Sequence, residues 1–280
     1  MYKQLNEQSV NLSILLEQNK NTFTKSEQKI YSYVKEHSED IVFQSLTELA
    51  IACQVGEATV LRFCRKLGYR GYQEFKLALA RELSMREKNG DDETYVEKVR
   101  SNMIQAVDDT YKLVDDNQLT QAVDHVTEAR NVVVYGVSSS GIAGLDLQNR
   151  LMRIGMNIET ITDSHNQVIR SNSVDKETVV IAISLTGSTK DVIEAVKVSK
   201  RNGAKVIAIT NYTESPLTKY ADNVLLTSAK ENPLDSGSLV SKISQLFVID
   251  LLCTGITMKN YEKAKETKER IAETISEKLY

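Results

Sequence analysis

Two short runs of hydroxyls and glycine are the residues best equipped for chemistry in this 280-residue chain: Ser138-Ser139-Ser140-Gly141 and Ser184-Leu185-Thr186-Gly187-Ser188-Thr189. Each follows an apolar, β-branched stretch, 132–135 and 178–184, that reads as a strand buried on both faces. Each leads into helical spacing, through Ile142, Leu145, Leu147 and Leu151 in one case and Val192, Ile193, Val196 and Val198 in the other. A strand that breaks into small residues and then a helix aims unpaired N–H groups, and the positive end of a dipole, at whatever sits above. Hydroxyls add donors without bulk, so the natural guest is a phosphate.

What is missing narrows the kind of phosphate. A dinucleotide site would want G-x-G-x-x-G, and here Gly136, Ser138 and Gly141 put serine where the pyrophosphate needs the middle glycine. No glycine loop ends in GKS or GKT, which excludes a P-loop. A compact monophosphate, as on a sugar, suits a serine-lined loop better. Taken singly, either run is also explained as an ordinary strand-to-helix turn rich in small residues. Two of them in one parallel sheet would both fall at its carboxyl edge, where open α/β sheets bind ligands.

The elements that must position these loops form the second half of the chain. Strand patterns at 132–135, 157–161, 178–184, 205–210 and 223–226 alternate with helical segments, which predicts a three-layer α/β domain on a five-stranded parallel sheet. Helical patterns at 95–114 and 119–129 precede the sheet, and a long apolar helix (237–253) and an amphipathic one (260–279) follow it. The first half is all helix. Thr24-Lys25-Ser26-Glu27 and Ser45-Leu46-Thr47-Glu48 are capping-box signatures. A turn at Gln54-Val55-Gly56 then separates a short helix from one over 57–67, with Gly68 at its C′ position.

On that helix Val60, Phe63, Cys64 and Leu67 make a stripe to be buried. Ala58, Arg62 and Arg65 face the opposite way, flanked by Thr59 and Lys66. Short helix, tight turn and a helix with an outward basic face describe a helix-turn-helix, although a solvated surface helix would carry the same charges. From Gly56 to Arg86 seven basic residues oppose three acidic ones, in a chain whose formal net charge is −3. Local basicity is what a polyanion feels. The polar stretch 86–93 has a linker's composition, giving domains at 1–85 and 94–280.

Composition bounds the rest. Charged residues at 26% and hydrophobic ones at 41% are those of a soluble globular protein, and no apolar run approaches the roughly 18 residues of a membrane span. The N-terminus lacks a signal peptide's layout, and Cys53, Cys64 and Cys253 read as reduced, buried thiols, so a cytoplasmic location is expected. With three histidines, His37, His125 and His165, no metal site is expected, and no cofactor.

The string Leu49-Ala50 … Gly56-Glu57-Ala58-Thr59-Val60 … Arg62-Phe63-Cys64-Arg65-Lys66-Leu67-Gly68-Tyr69 … Gly71-Tyr72 resembles the helix-turn-helix of the RpiR/MurR family of bacterial transcriptional regulators. The two serine loops are similar to those of the sugar isomerase (SIS) domain that this family carries at its C-terminus. The resemblance spans nearly the whole chain in the family's order. It implies that Thr59, Arg62, Arg65 and Lys66 read double-stranded operator DNA, with Arg70 on phosphate. It further implies a phosphosugar effector held by Ser139, Ser140, Ser184, Thr186, Gly187, Ser188, Thr189 and Glu231, with the Gly187 and Ser188 amides helping. The family often has serine where this chain has Gly56, at the N-cap of the reading helix.

SIS domains also occur in isomerases that interconvert ketose and aldose phosphates, and a general base for that chemistry would come from Glu231 or His165. A DNA reader joined to a phosphosugar pocket has a complete task without turnover, so a regulator rather than an enzyme is expected. Palindromic half-sites call for a homodimer or homotetramer, and the apolar 237–253 helix is the candidate pairing face. Position alone makes the 86–93 linker and the 95–129 helices the transmitters of an effector signal.

Overall fold

The computed structural model describes residues 12–86, 94–229 and 239–276. They fall into two compact units, the first ending before the 87–93 stretch and the second beginning at Thr94.

The first unit is all helix: α1 (Leu12–Asn19), α2 (Lys25–Glu36), α3 (Ser38–Ile41), α4 (Leu46–Ala52), α5 (Glu57–Lys66) and α6 (Tyr72–Arg86). Both capping boxes form, with the Thr24 and Ser45 hydroxyls accepting from the Glu27 and Glu48 amides while those glutamates accept from the cap amides. The predicted stripe on α5 is buried: Val60, Phe63, Cys64 and, just beyond the helix, Leu67 meet Ile30, Leu49 and Phe75. Phe23 and Phe75 flank the Phe63 ring, with centroids 5.0 and 6.1 Å away. Burial pushes the Cys64 thiol up to about 12 and Cys53 to about 11, which leaves both inert at neutral pH.

The second unit holds α7 (Tyr95–Lys112), α8 (Asp116–Glu128), β1 (Asn131–Tyr135), α9 (Ser138–Met152), β2 (Ile158–Ile161), α10 (Ser164–Ser171), β3 (Thr178–Ile183), α11 (Lys190–Arg201), β4 (Lys205–Thr210), β5 (Asn223–Leu226), α12 (Leu239–Lys259) and α13 (Tyr261–Ser276). The strands are all parallel in the order β2-β1-β3-β4-β5, as expected for a five-stranded sheet. Alternation divides the strand residues between two cores. Val132, Val134, Ile181, Ile207 and Ile209 face α8, α9 and α12, while Val133, Tyr135, Val180, Ala182, Val206 and Ala208 face α11. Three layers result.

The long apolar helix is α12, which packs against α7, α8 and α9 and buries Val248, Ile249, Leu252, Cys253 and Ile256. Much of its hydrophobicity is spent inside the unit. With 21 residues and a mean hydropathy of 1.6 over an 18-residue stretch, α12 also meets the length and composition of a membrane span, yet 44% of that stretch is buried in the fold. Apolar side chains also stand exposed at the two ends of α12 (Leu239, Met258), on α7 (Tyr95, Val96, Val99) and on α9 (Ile142, Leu145, Met152).

Candidate functional site

The order β2-β1-β3-β4-β5 reverses direction between β1 and β3, and a ligand crevice opens at the carboxyl ends of such a strand pair. Both hydroxyl runs sit there. The first is helical rather than loop: α9 starts at Ser138, so Ser138, Ser139 and Ser140 form its opening turn. The first intrahelical bond is Gly141 N–H to Val137 O at 3.3 Å, which leaves the three serine amides ahead of it without intrahelical acceptors. Ser138 adopts a left-handed φ of +52°, a conformation that costs a non-glycine residue about 1–3 kcal/mol. Gly136 before it must be glycine, because a Cβ there would lie 2.9 Å from the Ser140 carbonyl oxygen as α9 doubles back over the strand end.

Two buried glutamines brace this turn. Gln167 of α10 donates from Nε2 to the carbonyls of Gly136 (3.2 Å) and Ile161 (2.8 Å), tying the ends of β1 and β2 together, and its Oε1 has no hydrogen-bond partner. Gln245 of α12 donates from Nε2 to Ser140 Oγ at 3.1 Å. Sequence reasoning missed both. A single glutamine in a helix carries no periodic signal of what lies opposite it.

The second run behaves differently. Ser184 Oγ and Thr189 Oγ1 share a hydrogen bond of 3.0 Å across the loop, and Thr189 is the N-cap of α11 with its side chain uncommitted to the helix. The Gly187 amide donates to Ser184 O at 3.0 Å and the Ser188 amide to Thr186 Oγ1 at 3.2 Å. Both amides expected to help a ligand are therefore engaged within the loop, and the donors left over are hydroxyls and the first α11 amides. Gly187 has a φ of +57°, and any Cβ there would run into Ser215 Oγ, so the 215–218 turn packs directly on the loop. Ser139, Ser140, Ser184, Thr186, Gly187, Ser188 and Thr189 thus all gather at one sheet edge. Glu231 lies outside the described residues. His165 is exposed in the first turn of α10.

In the first unit, α4 closes with the Gln54 amide on Ile51 O (2.9 Å) and the Val55 amide on Ala50 O (2.9 Å), with Gln54 at a φ of +53°. Thr47 Oγ1 donates to Glu57 Oε1 at 2.8 Å, which locks α4 against the start of α5. The same 5→2 and 6→1 pattern ends α5, Gly68 to Arg65 O and Tyr69 to Cys64 O, each 3.0 Å. On the outward face Arg62 and Arg65 are exposed, and Arg62 Nη2 donates to Thr59 Oγ1 at 3.2 Å. Arg70, with a side chain 91% exposed, is held by Glu74. Lys66 departs from the group: its Nζ bonds Thr22 O (2.6 Å) and Glu27 Oε2 (2.9 Å) and lies over the Phe23 ring. Its charge is drawn toward the capping box of α2, away from Arg62 and Arg65. Among the described residues no cluster of His, Cys, Asp and Glu could hold a metal ion.

Comparison with known proteins bears on both units. Residues 10–86 match the model of a helix-turn-helix domain of the rpiR family, and residues 125–255 match that of the SIS domain. A helix-turn-helix-type transcriptional regulator of Clostridium perfringens is 36% identical over 270 residues, covering 93% of this chain and 97% of the relative. The regulator HexR of Escherichia coli is 29% identical over 265 residues, covering 92% and 91%. Among solved structures, the Vibrio vulnificus NanR protein complexed with ManNAc-6P superposes with a TM-score of 0.89 at 31% identity, covering 96% of this chain and all of that one.

Proposed function

The chain belongs to the rpiR family of helix-turn-helix transcriptional regulators with a C-terminal SIS domain, and from that premise we propose that a phosphosugar bound at the β1–β3 crevice sets its affinity for operator DNA. The observation that carries this reading is the pair of hydroxyl-bearing helix starts, α9 and α11, converging on adjacent strand ends at the one reversal of strand order. Such a pair supplies unpaired amides and short donors from two directions, suited to a compact anion and too shallow in glycine for a pyrophosphate. The NanR structure holding ManNAc-6P supports the same class of effector.

Ser139, Ser140, Ser184, Thr186, Ser188 and Thr189 are assigned to the phosphosugar. Glu231 is retained as a contact to a sugar hydroxyl. Arg62, Arg65 and Thr59 read DNA from α5, with Arg70 on a phosphate and Lys66 in a supporting place. The effector must bind one arrangement of the protein better than another, since equal affinity would shift nothing. The working state is a cytoplasmic homodimer or homotetramer facing two half-sites, and the 86–93 stretch separates the two functions.

A thermal-shift screen of the full-length chain against sugar phosphates, ManNAc-6P included, tests the reading directly, because a ligand of the native state raises the melting temperature. Replacing Ser140 and Ser184 together by alanine is expected to abolish the shift and the effector's action on operator binding, while effector-free operator binding persists. A response that survives the double substitution places the pocket elsewhere. Ketose–aldose interconversion on the same panel would instead assign turnover.

A further inference from the structure

Gln245 lies on α12, 2% exposed, and donates an amide proton to Ser140 Oγ at 3.1 Å. A serine hydroxyl carries one proton and accepts through its lone pairs. With an acceptor position filled from the α12 side, the Ser140 proton is turned away from Gln245. Ser140 itself is only half-buried, in the opening turn of α9 beside amides that lack intrahelical acceptors.

We propose that Gln245 is a positioning residue that fixes Ser140 as a hydrogen-bond donor to the anion bound at the β1–β3 crevice. This deepens the phosphosugar reading of that crevice and rests on it. An unbraced serine presents its lone pair as readily as its proton, and the lone pair repels an anion. Bracing removes the wrong orientation before the ligand arrives, so less ordering remains to be done on binding. Among the described residues the second run has no such brace: Ser184 and Thr189 bond each other, and either can donate. Ser140 is thus the preset donor, and the Ser184–Thr189 pair the one that adapts. Glutamate at 245 would accept from Ser140, reverse its polarity and bring a negative charge beside the anion. Methionine, of similar volume, would leave the hydroxyl unbraced.

The test titrates the full-length chain with inorganic phosphate by calorimetry, comparing wild type with Gln245→Met, Gln245→Glu, Ser140→Ala and the Ser140→Ala/Gln245→Met double variant. Losing the brace should weaken phosphate binding about three- to ten-fold, the size of one hydrogen bond between uncharged groups. Gln245→Glu should weaken it more than tenfold near neutral pH, and its ratio to wild type should recover as the pH is lowered, because a protonated carboxyl can donate again. Taking the ratio cancels the ionisation of phosphate itself. Lys242, one turn before Gln245 on α12, and the ion-paired Asp146, Arg150 and Asp250 of the α9–α12 contact are common to all variants. In the Ser140→Ala background Gln245→Met should add nothing.

Phosphate binding by Gln245→Met within twofold of wild type, a Gln245→Glu deficit flat with pH, or additive losses in the double variant would each overturn the assignment. Where Gln245→Glu does not fold, the methionine and double variants decide. A wild-type chain that takes up no phosphate would instead remove the crevice reading itself.

Discussion

The two surfaces proposed to face anions are built on opposite plans. On α5 the proposed chemistry sits on long, exposed guanidinium side chains: Arg62 hydrogen-bonds Thr59 on its own helix, and Arg65 is exposed. At the β1–β3 crevice it sits on first-turn helix amides and on short hydroxyls that are also structural, Ser140 held by Gln245 and Ser184 paired with Thr189. The proposed guests account for the difference. A duplex is a long array of phosphates reached by flexible, strongly screened charges, so the protein can leave those charges loose. A single small phosphate must be met by donors whose directions are already fixed, because few contacts share the cost of ordering. Substitutions in the crevice should therefore register first as lost fold or lost effector, and substitutions on α5 as lost salt dependence.

Gly187→Ala gives the largest break. Its φ of +57° and the closeness of Ser215 penalise any side chain. Left-handed backbone and overpacking together should cost the second unit about 2–4 kcal/mol, read as a lower denaturation midpoint. Phosphosugar binding should be lost in parallel. A variant as stable as wild type would mean that the 215–218 turn does not press on the loop.

Arg62→Ala comes next and tests the other plan. Operator affinity should fall by about 1–3 kcal/mol, and the slope of affinity against salt should drop by about 1 if the contact is to a phosphate. Stability should hardly change. Lys66→Ala should do the reverse, lowering stability with little change in slope, because Lys66 is committed to Glu27 and Thr22. Equal slopes lost at both positions would erase the distinction between free and structural cations on α5.

A third cation sharpens that distinction further. Lys76 is 4% exposed, donates to Gln44 O at 2.8 Å, and is pushed down by burial to about 8 from its ordinary 10.5. Between those values the unfolded chain holds a proton that the folded chain has released, so the Lys76 contribution makes stability rise with pH. The gain should be about 1–1.5 kcal/mol from about pH 7 to about pH 9. Cys53 and Cys64, with raised thiol values, pull the other way above about pH 9. The quantity to measure is therefore the difference between wild type and Lys76→Met, and a difference flat with pH would show that Lys76 stays charged inside the unit.

The same contrast governs what could be read from the chain. Capping boxes, the α5 stripe, five strands and their parallel class were legible because each is a local pattern with one physical solution. The start of α9 was not: serine's weak helix propensity argued for a loop at 138–140, whereas the sheet edge and Gly136 let the helix begin at once. Lys66 belongs to a charged face by spacing, and only folding brings Glu27, 39 positions away, to pair with it. Apolar composition marked α12 as a surface to be covered, and the cover turned out to be α7, α8 and α9 of the same unit. The braces Gln167 and Gln245 act through tertiary contacts alone, which no spacing announces.

The smallest effect probes a position where the loose plan leaves room for improvement. Gly56 is the N-cap of α5, with extended backbone (φ −79°, ψ 150°) that any residue adopts, and nothing lies within 4 Å of a Cβ added there. Glycine is therefore not demanded by geometry. Serine would offer its hydroxyl to the first-turn amides, which have no side-chain cap at present. Gly56→Ser should stabilise the first unit by a few tenths of a kcal/mol. Arg62 and Arg65 would be untouched, so operator affinity at fixed salt should change only as far as the start of α5 is better ordered. A large gain in affinity without a gain in stability would mean that the serine itself touches the DNA backbone, which would make the N-terminus of α5 a preset anion donor of the kind found in the crevice.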